Sequence, residues 1–118
     1  MTRHQRFDVR VAPEIERALK EMAAAHGAAA ADSQRMLRAL RRLREEGDWA
    51  CEVQKLQSLD LWEVRAGDYR LFFCPIRGTR RLAVGAMVRK SRQRLPMRQL
   101  RRIESRVHRW CIEVEEAT

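Results

Sequence analysis

The alternation of apolar and polar residues predicts three elements in the first 50 residues. The first is a short strand over residues 7–11, where apolar and charged side chains alternate. Pro13 then opens a helix whose first turn carries two glutamates, and Gly27 is expected to end it. After a run of alanines, a second helix is expected to begin at a cap formed by Asp32 or Ser33. These two helices predict a helical hairpin.

Three strands and a third helix are predicted in the remainder of the chain. The strands cover about 60–66, 69–76 and 81–89, and the turns Gly67-Asp68 and Gly78-Thr79 join them as hairpins. The helix starts at Pro96, covers about 96–112, and is followed by an acidic tail over 113–118. The order β-α-α-β-β-β-α predicts an α+β fold, in which a small, antiparallel-rich sheet packs on the helical hairpin. We expect a single domain over 1–118.

The predicted turn at Gly67-Asp68 places Arg65 directly opposite Arg70 on neighbouring strands. Like charges in this position repel each other by a few tenths of a kcal/mol to about 1 kcal/mol. Alternation then divides the three strands into a core face and a second face. The core face is expected to hold Trp62, Val64, Leu71, Phe73, Leu82, Val84, Ala86 and Val88. The second, open face is expected to hold Glu63, Arg65, Arg70, Phe72, Gly85, Met87 and Arg89.

Two interpretations of the arginine pair are open at this point. In the first, Glu63 joins the arginines in a surface charge network that has no function. In the second, which we favour, a phosphate binds between the arginines and removes their repulsion. Phe72 and Met87 would then offer an apolar floor for a base or sugar, as expected for single-stranded RNA.

The charge of the protein is concentrated in the second half of the chain. The sequence has 25 basic and 16 acidic residues, a net charge of +9. Residues 61–110 carry 14 basic and three acidic side chains, a local net charge of +11. An excess confined to one half favours a binding surface for an anionic partner over a general role in solubility.

The remaining sequence features exclude several classes of protein. The three cysteines are widely spaced and odd in number, which predicts reduced thiols and a cytoplasmic protein. The first ten residues lack the apolar segment of a signal peptide, and no apolar run is long enough to span a membrane. We recognise no zinc-binding spacing, phosphate-binding loop or catalytic triad, so neither a metal nor another cofactor is expected.

Two segments of the sequence resemble the phage-derived, HigB-like branch of the RelE/ParE toxins. These segments are KLQSLDLWEVRAGDYRLFF and GAMVRKSRQRLP, and the resemblance covers roughly residues 50–110. The family pattern is LWELR-x-G-x-YR with an aromatic pair, then a strand ending in two basic residues and a helix started by proline. Here Met87 replaces the usual aromatic residue, and Arg89-Lys90 replaces the usual pair of lysines.

The resemblance implies a toxin of a type II toxin–antitoxin module. The favoured activity is a ribosome-dependent mRNA endoribonuclease in which a 2′-OH attacks the adjacent phosphate without a metal ion. The expected partners are a cognate antitoxin protein in a toxin–antitoxin hetero-oligomer, the ribosome and mRNA. The alternatives are a ParE-like inhibitor of DNA gyrase and a non-catalytic nucleic-acid-binding module.

Site residues follow from the resemblance together with the predicted faces of the sheet. The expected catalytic residues are Arg65, Arg70, Arg89 and Lys90. The expected RNA-binding residues are Phe72, Met87, Arg92, Arg94 and His108. Lys90 and His108 are the two candidates for proton transfer, because arginine stays protonated near neutral pH.

Overall fold

The computed structural model describes residues 6–50, 52–90 and 94–117, excluding the side chain of Trp49. The fold contains three helices and five strands in these ranges. In chain order they are β1 (Asp8–Val11), α1 (Pro13–Ala24), α2 (Gly27–Glu46), β2 (Val53–Lys55), β3 (Trp62–Ala66), β4 (Tyr69–Pro75), β5 (Arg81–Arg89) and α3 (Met97–Glu116). A short 3-10 turn over Gly47–Trp49 follows α2. The α+β class predicted from the sequence is confirmed.

The helical hairpin forms as predicted, but its second helix begins earlier than expected. Pro13 occupies the first turn of α1, and Ile15 and Leu19 are buried on its apolar stripe. Helix α2 starts at Gly27, so the prediction of a cap at Asp32 or Ser33 was wrong. The alanines between Gly27 and Asp32 are strong helix formers, so the helix begins before its apolar stripe does. Ser33 is buried inside the helix and donates a hydrogen bond to the carbonyl oxygen of Ala30 at 2.8 Å.

The five strands form one mixed sheet in the order β1-β5-β4-β3-β2. Strand β1 pairs parallel with β5, and the other three pairs are antiparallel. Strand β2, which the sequence analysis missed, has only three residues and adds an edge beside β3. The sheet is therefore antiparallel-rich, as predicted, with one parallel edge that the β1–α1–α2 crossover creates.

The hairpin of β3 and β4 has the register that the sequence predicts. All five predicted pairs are present, and they are Trp62–Phe73, Glu63–Phe72, Val64–Leu71, Arg65–Arg70 and Ala66–Tyr69. Gly67 has a positive φ of 64°, which suits the tight turn. The two arginines therefore lie side by side across the hairpin.

The register between β4 and β5 differs from the prediction because β5 contains a bulge. Phe73 pairs with Val84 as expected, but Phe72 then pairs with Ala86 instead of Gly85. The predicted partners of Leu71 and Arg70 were wrong for the same reason. Leu71 pairs with Met87, and Arg70 pairs with Val88. One extra residue in β5 shifts every later residue of that strand to the opposite face of the sheet.

The extra residue, Gly85, lies against helix α3. A Cβ atom at this position would be 2.9 Å from the Cα atom of Val107 and 3.3 Å from the Cβ atom of Trp110. Only a residue without a side chain allows the strand and the helix to approach this closely. The glycine that we expected on an open face is therefore a helix-packing position.

Helices cover both faces of the sheet. Helices α1 and α2 pack on one face around Val64, Leu71 and Phe73. Helix α3 packs on the other face, where Phe72 is 0% exposed and contacts a second core with Ala86 and Val107. The prediction of an open second face was therefore wrong over the length that α3 covers. Ala86 and Val88 belong to this second core and its margin, not to the first core as predicted.

Helix α3 is longer than the sequence analysis predicted. It continues into the expected acidic tail and ends at Glu116. Its buried residues follow helical spacing to the last turn, and they are Ile103, Val107, Cys111 and Val114. The burial of Val114 explains why the glutamates around it are helical.

We predict that Gly85→Ala lowers the free energy of unfolding by about 1–3 kcal/mol, because the new methyl group must displace the backbone of α3. Urea denaturation followed by circular dichroism measures this loss. Tryptophan fluorescence should also change, because Trp110 contacts the same position.

Gly78→Ala is the matched control. Gly78 has a positive φ of 74°, and a methyl group added there would have no atom within 4 Å, so its substitution strains only the turn. Its tryptophan fluorescence in the folded state should match that of the parent protein. Full stability of Gly85→Ala would contradict the close packing of α3 on β5.

Candidate nucleic-acid interface

Arg65 and Arg70 form a cationic pair near the turn of the β3–β4 hairpin. Arg65 is exposed, whereas Arg70 is only 9% exposed. The Nη1 atom of Arg70 donates hydrogen bonds to the carbonyl oxygens of Gly67 at 3.1 Å and Tyr69 at 3.0 Å. These bonds fix the guanidinium against the turn, so its position is set by the backbone that the turn creates.

Among the described residues, neither arginine of this pair forms an ion pair with the carboxylates that flank it in sequence, Glu63 and Asp68. The buried Nε atom of Arg70 also lacks a hydrogen-bond partner within the described part of the chain. A buried donor without a partner costs about 1–3 kcal/mol. The surface charge network that the sequence left open is therefore absent between these four described residues.

A groove that Arg65 and Arg70 do not line contains further basic groups. The backbone nitrogen of Lys90 donates to the carbonyl oxygen of Asp68 at 2.8 Å, which extends the ladder one residue beyond β5. By alternation from Val88, the side chain of Lys90 lies on the same face as Arg70. Lys90 lines a groove of about 680 Å³ between β2, β3 and the start of α3. The charged residues of this groove are Lys55, Glu63, Lys90 and Arg94.

The bulge separates two residues that the sequence analysis grouped with Arg70. Arg89 pairs with Tyr69 and projects from the opposite face of the sheet, so the prediction that it shares a face with Arg65 and Arg70 was wrong. Met87 is half-buried and packs on the first core with the helical hairpin. Its predicted place on the open face was therefore also wrong.

The other expected RNA-binding residues have separate positions. The side chain of Phe72 is buried under α3, so the predicted apolar floor for a base is wrong at this residue. Arg94 is exposed and lines the groove, as the prediction requires. Arg92 lies outside the described residues.

His108 lies away from the arginine pair. Its Nε2 atom is 2.8 Å from the carbonyl oxygen and 3.5 Å from the Oδ2 atom of Asp60. Asp60 precedes β3 at the end remote from the Gly67 turn. The structure therefore does not bring His108 together with Arg65, Arg70 and Lys90.

His108 instead belongs to a second cluster of chemically active side chains. Ligand atoms of Asp60, Cys74 and His108 all lie within 4.8 Å of one another. Burial, with a smaller contribution from the Asp60 carboxylate, raises the pKa of Cys74 to about 12. Burial also raises the pKa of the neighbouring Cys111, whose thiol lies 3.7 Å from the Oε1 atom of Glu115. Both thiols are therefore protonated at neutral pH.

No local sequence pattern marks this second cluster. Its three members come from the segment before β3, from β4 and from α3, separated by 14 and 34 residues. Short metal-binding patterns place ligands a few residues apart on one segment, so spacing alone does not detect such a site. Alternation along β4 predicts which face Cys74 occupies, and the helical period predicts which face of α3 carries His108. Neither pattern predicts which residues of α3 lie over which residues of the sheet, so the two side chains could not be placed together from the sequence.

No helix within the described ranges is long and apolar enough to cross a membrane.

Comparison with known proteins supports the fold. No protein-family model matches the sequence, and no curated protein matches it. Among solved structures, the chain matches one chain of the archaeal RelE–RelB complex from Pyrococcus horikoshii OT3 with a TM-score of 0.58 and 22% identity. The match covers 75% of this chain and 99% of the archaeal chain. The protein therefore has a RelE-like fold, as the sequence motifs predicted.

Proposed function

We propose that this chain is the toxin of a type II toxin–antitoxin module and that it cleaves mRNA on the ribosome. The observation that carries the proposal is the Arg65–Arg70 pair, in which neither arginine forms an ion pair with a carboxylate among the described residues. The RelE-like fold and the motif around this pair add support. The match to a RelE–RelB complex at 22% identity contributes the fold and no activity.

The arginine pair suits the charge that develops during RNA cleavage. In the proposed reaction, the 2′-oxygen bonds to the adjacent phosphorus, and the bond from phosphorus to the 5′-oxygen of the next nucleotide breaks. The products are a 2′,3′-cyclic phosphate and a free 5′-hydroxyl. Arg65 and Arg70 would stabilise the additional negative charge on the phosphate oxygens through their guanidinium groups, and Arg65 is the exposed member of the pair.

The groove supplies candidates for the two proton transfers. Glu63 and Lys90 line the same groove, and alternation places both on the sheet face of the arginine pair. The Glu63 carboxylate can accept the proton of the 2′-OH, and the Lys90 ammonium can donate a proton to the leaving 5′-oxygen. Arg94, at the mouth of this groove, would bind a neighbouring phosphate. The positions of Phe72, Met87, Arg89 and His108 exclude these four residues from the proposed site.

A second candidate function is a non-catalytic nucleic-acid-binding module. Helix α3 favours it, because five arginines are exposed along its length. These residues are Arg98, Arg101, Arg102, Arg106 and Arg109. Such a row of cations binds phosphates without sequence preference and with strong dependence on salt. The same basic surfaces would attract an acidic antitoxin, the expected protein partner of a toxin.

We predict that Arg70→Ala reduces mRNA cleavage on ribosomes at least about 100-fold, because the variant loses one of the two guanidinium charges that would stabilise the phosphate. Primer extension on transcripts incubated with purified ribosomes and toxin measures cleavage. Arg80→Ala is the matched control, since Arg80 is an exposed arginine in the β4–β5 turn. Circular dichroism should show that both variants fold. Equal cleavage by Arg70→Ala and Arg80→Ala would remove the proposed site.

A comparison of two adjacent residues tests the effect of the bulge. Because Lys90 lies on the face of Arg70 and Arg89 on the opposite face, we expect Lys90→Ala to lose at least about tenfold more cleavage activity than Arg89→Ala. The same primer-extension assay gives both rates. A larger loss of cleavage activity for Arg89→Ala would contradict this arrangement, because it would mean that Arg89, as in a strand without the bulge, lies beside Arg70.

Controlled expression in bacteria distinguishes the three functions. The mRNA endonuclease is expected to stop growth and to shorten transcripts without inducing a DNA-damage response. A gyrase inhibitor would instead induce DNA damage while transcripts stay intact. A binding module would leave transcripts and growth unchanged, although the purified protein would bind RNA with a steep dependence on salt. Either of the last two results would contradict the proposed endonuclease.

A further inference from the structure

The cluster of Asp60, Cys74 and His108 lies apart from the proposed RNA site. Cys74 and Arg70 are on the same face of β4, but they are four positions apart, which corresponds to about 13 Å along a strand. Phe72 lies between them and is fully buried under α3. The cluster therefore has no part in the phosphate chemistry proposed above, and its role is independent of that proposal.

Three different elements bring the cluster together. Asp60 precedes β3, Cys74 lies near the end of β4, and His108 projects from α3. Their ligand atoms lie within 4.8 Å of one another at the wall of a cavity of about 600 Å³. Asp60 is exposed and His108 is partly exposed, so an ion can reach the cluster from solvent. Small movements of these three side chains toward one another would place one carboxylate oxygen, one sulfur and one ring nitrogen around a common centre.

We propose that Asp60, Cys74 and His108 bind a zinc ion. Thiolate, imidazole and carboxylate are the three side-chain groups that zinc binds in proteins, and a tetrahedral site places them around one ion. A sulfur ligand disfavours magnesium and calcium, which prefer oxygen. With three protein ligands, the fourth position faces the cavity.

The surroundings of the cluster supply further donors. Cys111 and Glu115 line the same cavity, and Cys111 contributes to the raised pKa of Cys74. A zinc ion must displace the thiol proton of Cys74, and burial makes this displacement costly. The charge of the ion offsets that cost, as it does wherever a thiol coordinates a metal. The bound ion would join α3 to the strands β3 and β4 that it covers.

A simpler interpretation of the cluster is a hydrogen-bonded Asp60–His108 pair that happens to lie near a thiol. The hydrogen bond of His108 Nε2 to the Asp60 carbonyl oxygen, at 2.8 Å, is what the simpler interpretation describes, and zinc binding with this bond in place would use Nδ1. In metal sites, the ring nitrogen that does not bind the metal usually makes such a bond to a carbonyl or carboxylate, which orients the ring. The two interpretations differ in whether zinc binds with one-to-one stoichiometry and depends on Cys74.

The experiment is a zinc titration of the reduced, full-length protein against a competing chromophoric chelator. We expect one zinc ion per chain with a dissociation constant below about 1 μM. His108→Ala should weaken binding at least about tenfold, whereas His26→Ala, which removes an exposed histidine at the start of α2, should leave it unchanged. Zinc should also raise the melting temperature of the parent protein by about 5 °C or more, and that of His108→Ala much less.

Cobalt substitution tests the sulfur ligand directly. The parent protein loaded with Co²⁺ should show a thiolate-to-cobalt charge-transfer band in the near ultraviolet, and Cys74→Ser should lose it. If Cys74→Ser fails to fold, Asp60→Asn serves in its place and should weaken zinc binding at least about tenfold. Absence of stoichiometric zinc binding, or equal zinc affinity for His108→Ala and His26→Ala, would overturn the proposal.

Discussion

At Gly85, strand β5 and helix α3 approach so closely that a methyl group would lie 2.9 Å from the Cα atom of Val107. This contact places α3 on the sheet, and the bulge beside it determines which face each later residue of β5 occupies. Lys90 consequently projects beside Arg70, while Arg89 projects from the other face. The composition of the basic site therefore depends on a packing constraint made several residues away from it.

The arginine pair illustrates how a fold can retain an unfavourable interaction. The register of the β3–β4 hairpin forces Arg65 and Arg70 together, and the turn carbonyls hold Arg70 in place. The repulsion and the unpaired Nε are small costs beside the burial of the two apolar cores. A phosphate that bound there would remove the repulsion between the two guanidinium groups, so binding of an anion would also stabilise the folded protein.

The β3–β4 register could be predicted in full from the sequence, because alternation and a two-residue turn are local properties. The bulge could not be predicted in the same way, since the contact of Gly85 with α3 joins positions 22 residues apart in sequence. The same long-range packing buries Phe72 and brings Cys74 close to His108. Local patterns thus predicted the arginine pair. Which other residues join the site, and that the second cluster forms at all, depend on how α3 packs on the sheet, which the sequence patterns do not give.

The most direct test of the central claim is the NMR signal of the Arg70 Nε–H group during titration with a short, 2′-O-methylated RNA that cannot be cleaved. We expect this signal to shift because a phosphate bound at the guanidinium changes its surroundings, and the resonances of Arg65 and Lys90 to shift with it. Unchanged Arg70 and Lys90 signals, with shifts confined to Arg89 or to the exposed arginines of α3, would contradict the proposed site.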